Sequence, residues 1–478
     1  MGRTTIVALA TLAFAASGCT WIVRASVDGS GVQGNSGSSE PVLNGDGRFV
    51  AFSSSASNLV EDDTNNVRDV FVRDNRTGVV ERVSVADSNA AQADDASSSP
   101  RVSEDGRYVA FGSLASNLVP GDTEGTLDLF VRDRTTGTTE LIASQALPPA
   151  ILSGDGRYVV YREPDQVNVY DRELQETETF PIASTASALS ISDDGRYVTF
   201  GVFGPGPPPF AASIVRDRQT STSETLFGTL PGAISGDGRF FVYDELVTVA
   251  SDKFRTRVVA LDRATATTEL ISVTSEEVEL TDVDADFGAV SDDGRYVLFS
   301  SFGAYVPDDT NGSYDAYVRD RATGNTFLAV RSAAGGIASL GSSPGVDISD
   351  DGRYIAFAAP PGSSNLVSGD TNGAEDVFVR AFPQPAPRSA SPSMLGRGTT
   401  TTVTLEGDYL LSSSQVAITG GGVSVDSVIL VSDQELTVSI TVEPGAVPGP
   451  RGVIVSIAGT GAGATTGSTG GCACLTIV

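Results

Sequence analysis

Histidine is absent from the 478 residues, lysine occurs once (Lys253), tryptophan once (Trp21) and cysteine three times. Without imidazole there is no Ser-His-Asp or Cys-His nucleophile system, no histidine ligation of zinc or copper, and no histidine general base. Acid–base chemistry would be left to Asp, Glu, Tyr and Arg, as in carboxylate glycosidases. The cysteines, Cys19, Cys472 and Cys474, stand near the two ends of the chain, so the long middle is no disulfide-stapled scaffold. Positive charge is scarce too: 31 basic against 60 acidic residues give a formal net charge of −29. Such a surface repels nucleic-acid phosphates and anionic lipid heads, which excludes charge-driven binding to either. It suits cations or basic partners.

The apolar stretch Ile6 to Ala16 is too short to span a bilayer. With Arg3 before it and small residues leading to Cys19, it reads as an export signal over 1–18. Ala16-Ser17-Gly18-Cys19 resembles a bacterial lipobox, and the resemblance implies acylation of Cys19 and membrane attachment through lipid alone. Thr20 follows where an inner-membrane retention Asp would stand, so the expected address is periplasmic or cell-surface, as an outer-membrane lipoprotein. An ordinary signal peptide cut after Ala15 or Gly18 is the alternative reading.

What the chain has in quantity is a repeat. Asp-Gly-Arg recurs with its Asp at 46, 105, 155, 194, 237, 293 and 351, a spacing of roughly 51 residues that matches propeller blades. Each triplet is followed by an aromatic and an apolar run (FVAF, YVAF, YVVY, YVTF, FFVY, YVLF, YIAF), and later by a DLFVRD-type segment. Four short strands per unit follow. Strand A precedes the Asp-Gly, strand B follows it, strand C is the DLFVRD segment, and strand D a TTELIA-type run. Asp-Gly is a strong hairpin signal because its turn needs positive φ. Apolar strands without full alternation suit sheets packed on both faces. The fold class predicted is all-β: a seven-bladed β-propeller over 20–382, followed by a small Ig-like β-sandwich.

The seventh unit stops after its strand C at Ala381, without a strand D. The stretch after Cys19, TWIVRASVDGSG, aligns instead with the strand D region GVVERVSVADSN. Trp21 to Val27 is therefore expected to close the ring from the N-terminal side and remove an exposed edge. The S/G-x-DGR-aromatic and DVFVRD motifs resemble the WD-like repeats of the TolB-type family of bacterial envelope proteins over about 20–382. That resemblance implies a propeller used as a protein-binding platform. The family also carries an N-terminal α/β domain and six blades, and this chain shows neither.

Pro383 to Pro387 (PQPAP) opens an expected semi-rigid linker over 383–390. Beyond it, five strand-like runs separated by Gly, Ser and Pro suggest the β-sandwich over 391–478. SPSMLGRGTTTTVTLEGDYL resembles the start of IPT/TIG domains. Cys472 and Cys474 allow incidental thiols, an intermolecular link, a disulfide or metal chelation.

The candidate site residues sit in the B–C loops. GDTNGAEDVFVR, DDTNGSYDAYVR and DDTNNVRDVFVR place Asp370, Asn372 and Asp376, then Asp309, Asn311 and Asp315, then Asp63, Asn65 and Asp69 at positions 1, 3 and 7. These are hard oxygen ligands of the kind calcium takes, yet too few for its six to eight. Equally, the first Asp can cap a turn and the second can order the entry to strand C. The motif, with a variant at 121–128, falls in units 7, 6, 1 and 2, one contiguous arc of a closed ring. The Asp-Gly-Arg copies read as turn chemistry, with Arg pairing locally. SEEVELTDVDADF (275–287) reads as a solvated acidic loop, and GPGPPPF as the plug of its own loop.

The function expected is a non-enzymatic envelope scaffold binding a protein, a peptide or a glycan on the B–C rim. A carbohydrate-active hydrolase or lyase working with channel carboxylates is the second class. A calcium-stabilised structural or adhesion protein is the third.

Overall fold

The computed structural model describes residues 22–478 apart from 88–90, 123–124, 183–184, 205–209, 251–252, 308, 332–345, 362–365, 367–369, 382–385, 409, 411–413, 433 and 458–468. The export signal, Cys19 and most of the GPGPPPF loop lie outside the described residues. The chain divides into a unit Trp21–Pro383 and a unit holding Gln384–Val478.

Among the described residues the first unit holds seven four-stranded antiparallel sheets. Sheets 1 to 6 span 38–82, 97–143, 147–181, 185–227, 229–270 and 285–328, each with strands A to D in chain order. Sheet 7 takes strands A to C from Val346–Ile348, Tyr354–Ala359 and Asp376–Ala381. Its fourth strand is Ile22–Arg24, with Ile22 opposite Arg380 and Arg24 opposite Phe378. All seven A strands line one central cavity of about 510 Å³. This is a β-propeller.

The Asp-Gly-Arg hairpins show how the ring is held. Gly106 has φ 74°, and a Cβ built there would lie 2.2 Å from the Phe49 ring of the preceding sheet. The same contact repeats from Gly156 to Tyr108, Gly195 to Tyr158, Gly238 to Tyr197, Gly294 to Phe240 and Gly352 to Tyr296, and closes from Gly47 to Tyr354. A side chain at any of these glycines would meet both a left-handed backbone and an occupied space. The triplet's Asp accepts from the Arg N–H two residues on and from the preceding Ser hydroxyl, as Asp105 does from Arg107 and Ser103. The Arg reaches the Asp that ends strand C: Arg48–Asp74, Arg107–Asp133, Arg157–Asp171, Arg196–Asp217, Arg239–Asp262 and Arg295–Asp320, at 2.6–2.8 Å. It also stacks on the aromatic beside it, 4.7 Å from the Phe49 ring for Arg48. In sheet 7 Ala381 stands where the partner Asp would be, and Arg353 turns to Asp351 at 3.7 Å.

Strands B and C form the dry interior, with fully buried pairs such as Phe52–Phe71, Phe111–Phe130 and Phe357–Phe378 stacked 5.5–5.9 Å apart. Burying each such ring contributes about 1.5–3 kcal/mol.

The second unit is two four-stranded sheets over one core that includes Val403, Leu405, Leu436, Val438, Val453 and Leu475. The linker expected over 383–390 is corrected here: from Ala386 it is already the edge strand Ala386–Ser391, paired with Thr400–Asp408. An edge strand with a register shift beside Pro387 tolerates prolines that a central strand would not. The last strand, Thr469–Ile477, contains Cys472 and Cys474, joined as a disulfide.

Candidate functional site

The ring has two ends. The B–C and D–A loops emerge at one, the Asp-Gly-Arg and C–D turns at the other.

At the B–C end the DTNG residues are engaged within the fold. In sheet 1 the Arg82 guanidinium stands 3.1 Å from Asp63 and 3.8 Å from Asp69. Asn65 donates to Asp69 and to the Ala93 carbonyl, both at 2.9 Å, and Ser84 donates to Asp69. In sheet 7 the Gln33 amide donates to Asp370 at 3.0 Å and Asp376 at 2.7 Å, with Arg24 3.2 Å from Asp376. Asn372 donates to the Gly34 carbonyl at 2.8 Å, and Ser26 to Asp376 at 2.7 Å. The motif thus fastens a B–C loop to the D–A segment that leads to the next sheet. In sheet 6 Asp309 receives the Tyr317 hydroxyl, and the Asn311 side chain bonds Asp315. Burial raises the carboxyls of Asp63, Asp69 and Asp376 above the ordinary range. Among the described residues no group of three or more Asp, Glu, His or Cys side chains is arranged to hold a metal.

The same end is the apolar one. Ten large apolar side chains of the described ring are exposed. Val32, Leu114, Leu147, Phe203, Phe227, Val249, Val278 and Phe302 lie in or beside B–C and D–A loops, and only Val79 and Leu174 in C–D turns. Phe203 and Phe227 belong to sheet 4, which carries no DTNG motif, while Phe302 opens the DTNG loop of sheet 6 and packs on its Tyr314. The acidic stretch 275–287 is largely exposed, as its composition suggested, and is also tied down at three points. Glu279 pairs with Arg255 and Arg257, Glu277 with Arg319, and Asp286 accepts from the Tyr314 hydroxyl at 2.7 Å. Arginines from neighbouring strands thus reach Glu277 and Glu279, two of its acidic side chains.

The other end closes on carboxylates. The residue before each Asp-Gly-Arg is, in order, Gly45, Glu104, Gly154, Asp193, Gly236, Asp292 and Asp350. A belt of backbone hydrogen bonds joins these positions around the mouth: Gly45 N–H to Glu104, Glu104 to Gly154, Asp193 to Gly236, Asp292 to Asp350 and Asp351 to Gly45, at 2.9–3.2 Å. The glycines make room for the acids. A Cβ on Gly45 would lie 2.5 Å from Glu104 and 2.7 Å from Asp350, and one on Gly236 2.3 Å from Asp193 and 2.5 Å from Asp292. Burial first, then the charges of their neighbours, push Asp193 up to about 6, Asp292 to about 7 and Asp350 to about 9. Deeper in, Asp347 accepts the Leu43 N–H at 2.8 Å, and burial raises it to about 6 despite the Arg101 charge. Arg101 is the one cation of the cavity wall against Glu40, Glu104, Asp193, Asp292, Asp347 and Asp350. Sequence reading passed over this quartet, although the alternation of glycine and acid before Asp-Gly-Arg was its visible sign.

No protein-family model and no curated protein matches the chain. Solved structures similar to it are propellers. The β-propeller domain of the Trilobed protease from Pyrococcus furiosus, described with an open velcro topology, is 14% identical with a TM-score of 0.46, over 68% of this chain and 91% of that one. Oligogalacturonate lyase in complex with manganese is 11% identical with a TM-score of 0.49, over 76% and 93%. A putative TolB from Agrobacterium tumefaciens is 15% identical with a TM-score of 0.33, over 73% and 91%. At these identities the likeness concerns the fold alone, and the fold rests on the ring of sheets itself.

Proposed function

We propose that the chain is an exported, non-enzymatic scaffold of the cell envelope, lipid-anchored through Cys19. A seven-bladed propeller binds a protein partner by its B–C end, and an IPT/TIG-like Ig-fold module acts as spacer. The carrying observation is the gathering of eight of the ten exposed large apolar side chains at one end of the ring. Export is supported by the apolar stretch Ile6 to Ala16 and the small residues before Cys19. The test is crosslinking capture in envelopes with the wild type and with a Phe203→Ser, Phe227→Ser, Phe302→Ser triple variant. A partner held by the wild type and lost by a normally folded variant supports the reading. Capture unaffected by the triple change overturns it.

A second reading, hydrolysis of a neutral carbohydrate, is favoured by the raised carboxyls of Asp193, Asp292 and Asp350 in the channel mouth. A turnover screen of polysaccharides, with Asp292→Asn as the inactive control, separates it from the first.

A further inference from the structure

Three DTNG loops each carry two carboxylates, all buried except the half-buried Asp370, but differ in what neutralises them. In sheet 1 the residue opposite Phe71 on strand D is Arg82, and in sheet 7 the residue opposite Phe378 is Arg24. Arg82 faces both carboxylates of its pair and Arg24 faces Asp376, and a serine two residues on, Ser84 or Ser26, donates to the second Asp. In sheet 6 the register position of the arginine, opposite Tyr317, is Leu328. The position of the serine is Val330, itself buried.

At these two register positions, among the described residues, both the cation and one hydroxyl donor are therefore missing, while the carboxylates remain. Asp315 is 1% exposed and Asp309 8%. Among the described residues the Oδ2 of Asp315 has no hydrogen-bond partner, and its side-chain donor is Asn311. In sheets 1 and 7 one oxygen of the equivalent Asp takes the serine and the other faces the cation. A buried carboxylate left without a counter-charge is costly. Oxygen atoms stand close to Asp315: Asp309, whose charge acts on it, and the Tyr317 hydroxyl, which bonds Asp309 and lies 2.7 Å from the Gly303 carbonyl. An all-oxygen set with two carboxylates suits a hard divalent cation that completes its shell with water.

We propose that Asp309 and Asp315 of sheet 6 bind one calcium ion, in the place that a guanidinium fills in sheets 1 and 7. The test is thermal unfolding of the full chain in EDTA and in millimolar CaCl2, with calorimetric titration of CaCl2. The wild type is expected to bind about one ion and to gain at least about 2–4 °C. Asp315→Asn should abolish the calcium increment. The double variant Leu328→Arg, Val330→Ser rebuilds the sheet 1 arrangement and should abolish it too, while unfolding in EDTA at or above the wild-type temperature. Asp63→Asn, in the loop already served by Arg82, should retain it. No calcium increment in the wild type, or an increment that survives Asp315→Asn, overturns the proposal.

Discussion

The backbone N–H of Asp351 donates to the carbonyl of Gly45 at 3.2 Å, joining the last Asp-Gly-Arg turn to the first. On the same seam Arg24 stands 3.2 Å from Asp376, with both side chains less than a tenth exposed. Replacing Arg24 by alanine leaves Asp376 buried without its cation and should cost about 3–5 kcal/mol, read as a lowered urea midpoint. Deleting residues 20–28 removes the whole fourth strand of sheet 7 and should lower the unfolding temperature further. An unchanged temperature after the deletion would refute closure by this strand.

Two glycines separate backbone strain from packing. Gly195 and Gly312 have φ of 69° and 63°, but a Cβ on Gly195 would lie 2.1 Å from the Tyr158 ring, whereas nothing lies within 4 Å at Gly312. Gly312→Ala should cost about 1–2 kcal/mol for the left-handed backbone. Gly195→Ala should cost about 1–3 kcal/mol more for overpacking. Equal midpoints in chemical denaturation would contradict the ring contact.

The channel mouth predicts an unusual pH profile. Asp193, Asp292 and Asp350 have folded-state values near 6, 7 and 9, above the ordinary carboxylate value. Protonated, they favour the fold, so their contribution is full below about pH 4 and is lost as pH rises towards 9. Asp133, Asp217 and Asp262 act oppositely. Hydrogen bonds and charge from Arg107, Arg196 and Arg239 hold them below the ordinary range, and their contribution is lost as pH falls below about 4. Stability should peak near pH 4–5 and decline through neutrality. Asp350→Asn should raise the unfolding temperature at pH 8 and leave it nearly unchanged at pH 4. A flat wild-type profile from pH 5 to 9 would contradict the crowded mouth.

Sheet 7 lacks one ion pair that the other six share. Ala381 stands opposite Tyr354, so Ala381→Asp places a carboxylate next to Arg353 in the way that Asp74 serves Arg48 and Asp320 serves Arg295. Arg353 is 63% exposed, so the gain should stay within about 0.2–1 kcal/mol and diminish in high salt. A loss of stability would show that sheet 7 does not repeat the hairpin geometry.

Local chemistry explains what could be read ahead of the structure. Asp-Gly-Arg announced a hairpin because its glycine needs positive φ, and the likeness of the stretch at Ile22 to the one at Arg82 pointed to a strand D without a sheet. Where residues of different sheets converge, the sequence is silent. Glu104, Asp193, Asp292 and Asp350 look like filler in four separate turns and become a quartet only when the ring closes. Leu328 looks like any buried leucine until Arg82 and Arg24 show what stands there elsewhere. Pro387 misled for the reverse reason, because an edge strand tolerates a residue that usually signals a linker.

Sheet 7 is knit from both ends of the first unit, with Ile22 opposite Arg380. The chain enters strand Ile22–Arg24 beside the point where it leaves strand Asp376–Ala381. Tension applied between those two points would load the seam one hydrogen bond at a time, as a zipper is opened, instead of shearing all rungs together. A protein tethered at its front and pulled from behind would yield first at the place where its circle was completed.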